Sequence, residues 1–176
     1  GQNDPVEPIT VDAVTTRFCL MFLPEIPKAA AEIARILKPD TWMAAAVWSA
    51  PDKNPYLKIP MDIIKQFIEL PTPDPAAPGI FRLAKPGELA AMLQQAGFVD
   101  ISEQEFLGDV RFVEAGEYFS SLMDIAAPIQ NLWAKLSPTQ QTEARQRIMD
   151  TSGQYRKGSG IALPIAVVVV AARKLI

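Results

Sequence analysis

The sequence predicts an α/β protein built on part of a doubly wound sheet. Short apolar runs, typical of strands covered on both faces, alternate with helical patterns along the chain. Their order is strand, helix, strand, insert, helix, strand, helices and strand, which corresponds to half of such a sheet. The 176 residues are 49% hydrophobic and 21% charged, which suffices for one ordinary core and predicts a single domain.

The first 48 residues predict a strand, a helix and a second strand. Residues 1–10 are expected to form an extended lead-in. Residues 11–22 are rich in β-branched and aromatic side chains, which predicts a buried strand with an apolar continuation. A helix is expected to open at Pro27 and to stop at Pro39. The residues at helical spacing on its buried face are Ala30, Ile33, Ala34 and Leu37. The apolar run 43–48 predicts the second strand, joined to the first by a right-handed crossover.

Residues 50–86 have a different composition, because eight of the 16 prolines lie there. One helix is predicted over about 60–70, and the segment 71–79 (PTPDPAAPG) is expected to be irregular. Ile80, Phe81 and Leu83 could anchor the end of this insert. We therefore expect an ordered lid and not a flexible linker.

Proline and glycine residues mark the ends of the predicted elements in the next part of the chain. Pro86 predicts the start of a helix that ends at Gly97. Strands are predicted over 98–106 and, after Gly108, over 109–113.

The last part of the chain predicts two helical stretches and a closing strand. The stretch 117–135 is expected to break before Pro128. The segment 137–140 (SPTQ) is a capping box, and its helix should run to about Thr151. Residues 161–173 predict the closing strand, with four consecutive valines at its centre.

Composition excludes several kinds of site. The chain has no histidine and one cysteine, so Ser-His-Asp and Cys-His sites, histidine metal clusters and an intrachain disulfide are excluded. We expect no metal, and Cys19 should be a small buried apolar residue. A net charge of −3 argues against a nucleic-acid surface. No apolar run approaches a membrane span and no signal-peptide pattern is visible, so a cytoplasmic protein is expected.

Two segments resemble one enzyme family. Residues 11–49 (VDAVTTRFCLMFLPEIPKAAAEIARILKPDTWMAAAVWS) resemble the middle of class I S-adenosylmethionine-dependent methyltransferases of the ubiquinone and menaquinone biosynthesis type. In that family an FDAV strand precedes a helix ending in RVLKPGG and an apolar strand. Residues 85–102 (KPGELAAMLQQAGFVDIS) resemble the next helix and strand, and residues 163–174 resemble the last strand. The resemblance implies the C-terminal half of a Rossmann-like sheet, with parallel strands, an antiparallel last strand and helical insertions.

The resemblance also shows which family motifs this sequence lacks. No GxGxG turn occurs among its nine glycines, and Gly158-Ser159-Gly160 precedes a strand and predicts a simple turn. The family Gly-Gly turn is replaced by Asp40-Thr41, where a positive φ is expected. Residues 11–176 are therefore interpreted as one truncated methyltransferase-like domain, inactive as this chain alone. The alternative is a non-catalytic dimerisation or small-molecule-binding module derived from a methyltransferase.

The resemblance implies a site at the carboxyl ends of the first two strands. Arg17 and Phe18 follow the first strand and are the candidates for binding S-adenosylmethionine, although this chain alone is not expected to bind it. Trp48 and Ser49 end the second strand and are candidate walls of a substrate pocket. The structural alternatives are a surface ion pair for Arg17 and core packing for Phe18 and Trp48.

The insert contributes two further pocket candidates, Phe81 and Arg82, of which the arginine could hold an anionic substrate group or simply be solvated. Glu103 and Glu105 are expected on the solvent face of their strand, so a paired-carboxylate acid–base site is not expected. No catalytic residue is singled out. The three tyrosines are expected to have satisfied hydroxyl groups.

The resemblance finally implies an uncovered sheet edge. In the family another strand lies beside the first strand seen here, so residues 11–16 should form an edge made of buried-type residues. Exposed apolar edges associate. We expect a homodimer through this edge, or a partner chain that supplies the missing half, with neither nucleic acid nor membrane as a partner.

Overall fold

The computed structural model describes residues 11–69, 74 and 77–175. The predicted lead-in 1–10 and part of the irregular segment 71–79 lie outside the described residues. The strands are β1 (Val11–Arg17), β2 (Leu37–Trp48), β3 (Phe98–Phe112), β4 (Arg156–Lys157) and β5 (Gly160–Lys174). The α-helices are α1 (Ile26–Ile36), α2 (Pro55–Ile64), α3 (Glu88–Gln95), α4 (Ala115–Ile125), α5 (Ala127–Trp133) and α6 (Pro138–Ser152).

The chain forms two compact units. We call residues 1–49, 76–106 and 167–176 the sheet unit, and residues 50–75 and 107–166 the helical unit. Strands β3 and β5 contribute residues to both. The 50–86 boundaries of the insert remain a prediction.

The sheet has the order β1-β2-β5-β3. β1 lies parallel to β2, with Ala13 opposite Trp42 and Arg17 opposite Ala46. β5 runs antiparallel to β2, with Trp48 opposite Val167. Helices lie between these strands in the order of the chain. The predicted α/β class with an antiparallel last strand is confirmed.

An aliphatic core holds the sheet unit together. Over residues 43–48 of β2 and 166–173 of β5, the side chains alternate between buried and half-buried, as expected for paired strands. Helix α1 buries Ile26 and Ala30 against them, and α3 buries Leu89 and Leu93. Burial of these apolar groups is the main stabilising contribution to the unit.

The helix predicted to stop at Pro39 ends at Ile36, and Leu37, predicted on its buried face, begins β2 directly. The positive φ that the sequence predicts after the helix therefore lies within β2. Asp40 lies at φ 64°, and Asp100 of β3 lies at φ 50°. Arg173 near the end of β5 forms hydrogen bonds with both carboxylates. Aspartate tolerates the left-handed conformation better than most residues, which explains its use where the family has glycine.

The first strand is shorter than predicted. β1 ends at Arg17, Phe18 has a φ of 53°, and a 3-10 turn covers Leu20–Phe22. Because the chain turns at Phe18, Cys19 lies at the surface, and the expectation that it is buried is wrong.

The helix predicted over 60–70 begins earlier and contains Pro60. α2 starts at Pro55, which occupies its first turn. Pro60 has no N–H to donate to the carbonyl of Tyr56, four residues earlier. The hydroxyl of Tyr118 donates to that carbonyl at 2.7 Å instead. The proline is therefore tolerated because a buried tyrosine replaces the missing donor.

The two short strands predicted around Gly108 form one continuous strand, β3. A Cβ atom built on Gly108 would lie 3.9 Å from Ile165 Cγ1, an ordinary contact distance, so this glycine neither turns the chain nor marks a close approach. Phe106, which strand alternation would place on the same buried face as Phe98, is 49% exposed.

Predictions for the last third of the chain are confirmed. The helical stretch breaks at Ala126, before Pro128, which lies in the first turn of α5. The capping box of Ser137 and Gln140 starts α6. Gly158 turns the chain at φ 65° into β5.

Within the described ranges, no helix is both long and apolar enough to span a membrane.

Candidate functional site

The carboxyl ends of β1 and β2 meet at one edge of the sheet, because the two strands are parallel. The backbone N–H of Phe18 donates to the carbonyl of Ala46 at 2.8 Å, which fixes Phe18 beside the end of β2. Its ring stacks on that of Trp48, with centroids 4.2 Å apart and planes 13° from parallel. Both residues are half-buried. The structure thus brings together two of the predicted site residues.

Ser49 adds a polar group directly after Trp48. This residue is 2% exposed, and its Oγ donates a hydrogen bond to the carboxylate of Glu105 on β3. A buried hydroxyl requires such a partner. The edge therefore combines two aromatic rings, a serine hydroxyl and a carboxylate. We call Phe18, Trp48, Ser49 and Glu105 the edge cluster.

Glu105 is a member of the edge cluster that the sequence does not reveal. The residue is exposed, as expected from strand alternation, but its carboxylate contacts the end of β2. Its neighbour Glu103 accepts a hydrogen bond from the backbone N–H of Gly87 at 2.8 Å, so the two carboxylates have different partners. No pattern in the sequence signals which one reaches the edge, because that depends on the placement of β3.

The two predicted arginines differ in their surroundings. Arg17 is exposed at the end of β1 and forms no ion pair with any described residue. Arg82 donates to the backbone carbonyls of Leu23 and Pro24, the second at 3.2 Å. Its guanidinium therefore fastens the end of the insert to the segment after β1, which is a structural use of the charge.

The end of the insert is ordered and anchored on the sheet unit. The backbone N–H of Gly79 donates to the carbonyl of Met21 at 3.0 Å. Ile80 and Leu83 are buried, whereas Phe81 is half-buried. Ile80 and Leu83 thus anchor the insert as the sequence predicts. The role of Phe81 in a pocket remains a prediction.

The buried tyrosines belong to the core of the helical unit. Tyr118 is fully buried, and its ring lies 5.4 Å from that of Phe112 and 5.7 Å from that of Tyr56. Burial raises the pKa of Tyr118 far above its ordinary value, and the pKa of Tyr56 is also raised by burial. Neither phenol can act as a base near neutral pH.

A cleft of about 830 Å³ lies within the helical unit, where α4 begins and α6 ends. Its lining mixes acidic, basic and apolar groups, including Glu114, Asp150 and Arg156. Among the residues that the structure describes, no group of three His, Cys, Asp or Glu side chains is placed to hold a metal ion.

Comparison with known proteins identifies related sequences and folds. Residues 2–103 match the sequence model of the family described as "Methyltransferase domain". The YcgJ protein of Bacillus subtilis is 16% identical, with 100% of this chain and 68% of that chain covered and a TM-score of 0.53. A candidate methyltransferase of Bacillus halodurans C-125 is 15% identical, with 99% and 74% covered and a TM-score of 0.53. Identities this low establish a shared fold alone. The curated proteins compared with the chain contained no match.

Proposed function

Because the chain belongs to the methyltransferase domain family, we propose that it forms the acceptor-facing part of a class I S-adenosylmethionine-dependent methyltransferase of the quinone-biosynthesis type. The edge cluster supports this proposal most strongly. In doubly wound sheets, ligands bind outside the carboxyl ends of the strands, and this is where Phe18 and Trp48 stack.

The residues of this chain fit only part of the cofactor. Aromatic rings and the exposed Arg17 lie at the edge where the resemblance implies contact with it. The hydroxyl of Thr16 is buried there without a hydrogen-bond partner among the described residues. The GxGxG turn, which the resemblance assigns to the methionine end, does not occur in the 176 residues. We therefore propose that this chain alone is inactive and that other sequence supplies the turn.

The role proposed for this edge is to position the methyl acceptor. S-adenosylmethionine, when bound, supplies an electrophilic methyl carbon on its sulfonium. The residues seen here can wall the acceptor with aromatic rings, exclude water from it and orient its polar group through Ser49 and Glu105. Positioning is a large contribution to such reactions, and it needs no histidine.

The outer edge of β1 supports a proposal about partners. The N–H of Phe18 faces β2, so by alternation the N–H and C=O groups of Ala13, Thr15 and Arg17 face away from β2. Within the described residues, β1 pairs with β2 alone. We propose that a second copy of the chain or a polypeptide with the missing half covers this edge, and that the protein is cytoplasmic.

A dimer formed through this edge is also what the alternative function requires, in which the chain is a dimerisation module without catalysis. Light scattering after size exclusion should show a dimer at micromolar concentration. Thr15→Pro removes one outward N–H and should weaken the dimer while circular dichroism stays unchanged. A monomeric native chain would overturn the homodimer.

Calorimetry tests the catalytic proposal. S-adenosylmethionine titrated into this chain should release no binding heat, and a chain extended by the sequence that precedes it in its gene should bind the cofactor. Extension without a gain in binding would leave the non-catalytic module as the better account.

A further inference from the structure

We propose that one face of the sheet receives an amphipathic α-helix from the sequence that supplies the glycine turn. The source of this helix rests on the proposed function. The need for a helix rests on the side chains of the sheet unit alone, and it can be measured without the cofactor.

The two faces of the sheet differ in how they are covered. Directly paired residues point to the same face, and successive residues of a strand alternate between the faces. On one face, Met43, Ala45 and Val170 are buried and share a core with residues of α1 and α3. On the other face lie six residues that we call the open face, namely Ala13, Trp42, Ala44, Ala46, Val169 and Ala171.

The open face is apolar, but it does not belong to that core. Ala13 is exposed, Trp42 is 46% exposed, and the other four residues are half-buried. Among the described residues, the core that includes α1 and α3 contains none of the six. Parallel strands with crossover helices are normally covered on both faces, so an apolar face of this kind calls for a second layer.

The size of the open face suits one helix. A spacing of about 4.8 Å between strands and a rise of about 3.3 Å per residue give five residues on three strands an area of roughly 250 Å². A helix of about 12 residues is about 18 Å long, which matches the length of this face. Each partner of a stable complex buries about 800 Å², so the open face is too small to hold a second copy by itself.

The side chains of the open face define the kind of helix that fits. Ala44, Ala46 and Ala171 are short, so the middle of the face is shallow and can accept large aliphatic side chains. We expect leucine, isoleucine or methionine at helical spacing on the side of the helix that packs against it.

Arg17 indicates the charge of the helix. It pairs with Ala46, so its side chain lies on the same side of the sheet as the open face. It is exposed and forms no ion pair with any described residue. At the other end of the face, Arg173 is already bonded to Asp40 and Asp100. The helix should therefore carry a carboxylate near Arg17 and no charge at its centre.

Thiol labelling measures whether the open face is covered. In a Cys19→Ser background, which removes the one cysteine, Ala44→Cys places a thiol on the open face and Ala45→Cys places one on the opposite face. Thr142→Cys on the exposed side of α6 is the control for the reagent. Each variant is prepared as this chain and as a chain extended by the sequence that precedes it in its gene. The rate of reaction with a maleimide is measured without cofactor.

The thiol of Ala44→Cys should react at least about tenfold more slowly in the extended chain, because a packed helix allows reaction only through local opening. Thr142→Cys should react at the same rate in both chains, and Ala45→Cys should be slow in both. If Ala44→Cys does not fold, Ala46→Cys on the same face takes its place.

A second variant tests the charge. In the extended chain, Arg17→Glu should speed the reaction of Ala44→Cys about threefold, which is the size of one exposed ion pair. The matched control is Arg156→Glu, an exposed arginine of the helical unit, which should leave the rate unchanged. An unchanged rate in Arg17→Glu would overturn the charge assigned to the helix.

Equal rates for Ala44→Cys in the two chains would overturn the proposal. A thiol as slow as that of Ala45→Cys in this chain alone would also overturn it. The face would then be covered by the chain itself or, if the rate falls with protein concentration, by a second copy. Calorimetry with S-adenosylmethionine on the same extended chain separates the two proposals. Cofactor binding without protection would refute the helix alone, and protection without cofactor binding would refute the proposed function alone.

Discussion

The sheet unit and the helical unit use aromatic side chains differently. The sheet unit is stabilised by a mainly aliphatic core, while Phe18 and Trp48 remain half-buried at its edge. In the helical unit Tyr118 is fully buried, packs against Tyr56 and Phe112, and has its hydroxyl tied to a backbone carbonyl. The aromatic residues of the helical unit thus serve stability, whereas those of the sheet edge remain half-buried.

The largest expected effect tests this difference directly. Tyr118→Ala should lower the free energy of unfolding by about 3–5 kcal/mol, since it removes a fully buried ring and leaves a cavity. Phe18→Ala should cost less than about half as much, because its ring is already partly in water. Urea denaturation of both variants measures the costs. Equal costs would show that Phe18 is a core residue and would break the comparison.

A close backbone contact is a second structural requirement of the helical unit. A Cβ atom on Gly160 would lie 2.3 Å from the carbonyl oxygen of Phe112, so Gly160→Ala should cost about 3 kcal/mol through overpacking. In the sheet unit, Gly97 has open space but a φ of 90°. Gly97→Ala should cost about 1 kcal/mol through strain, and Gly97→Asn should recover part of it. Thermal unfolding distinguishes the two causes, because Gly160→Asn should recover nothing.

The link between Tyr118 and Pro60 predicts a smaller effect. Tyr118→Phe leaves the carbonyl of Tyr56 without its donor and should cost about 2 kcal/mol. In a Pro60→Ala background the helix regains an N–H at that position, so the same substitution should cost clearly less. A double-mutant cycle in urea measures this coupling. Additive costs would contradict the explanation of the tolerated proline.

The smallest effect is a dependence on pH. Burial raises the pKa of Tyr118 in the folded chain above the unfolded value of about 10. Its contribution to stability is therefore complete below about pH 10 and is lost as the pH rises towards the folded pKa, since only the unfolded chain ionises there. Unfolding free energies measured between pH 8 and 11 should fall less steeply in Tyr118→Phe. The same slope in both proteins would exclude Tyr118 as its source.

Local signals in the sequence predicted much of the fold. The capping box at Ser137 and Gln140, the break before Pro128 and the positive φ of Asp40 follow from chemistry within a few residues. The turn at Phe18 and the helix through Pro60 could not be predicted. Each depends on distant partners, such as the hydroxyl of Tyr118, which no local pattern reveals.

The same distinction applies to the candidate site. Phe18, Trp48 and Ser49 were identified because parallel strands end at a common edge. Glu105 was missed because strand alternation places it correctly at the surface, but only the placement of β3 brings it to Ser49. For Arg82 the sequence leaves open an anionic substrate group or solvation, and its bonds to Leu23 and Pro24 arise from packing of the insert.

The central proposal is that this chain carries the part of a methyltransferase that faces the acceptor, and that it does not bind the cofactor without a glycine turn from other sequence. Thermal melting of the chain with and without millimolar S-adenosylmethionine tests it most directly. A ligand at 100 times its dissociation constant stabilises a native protein by about 2.7 kcal/mol. The account predicts an unchanged melting temperature. A rise of several degrees would show that these 176 residues bind the cofactor themselves and would contradict it.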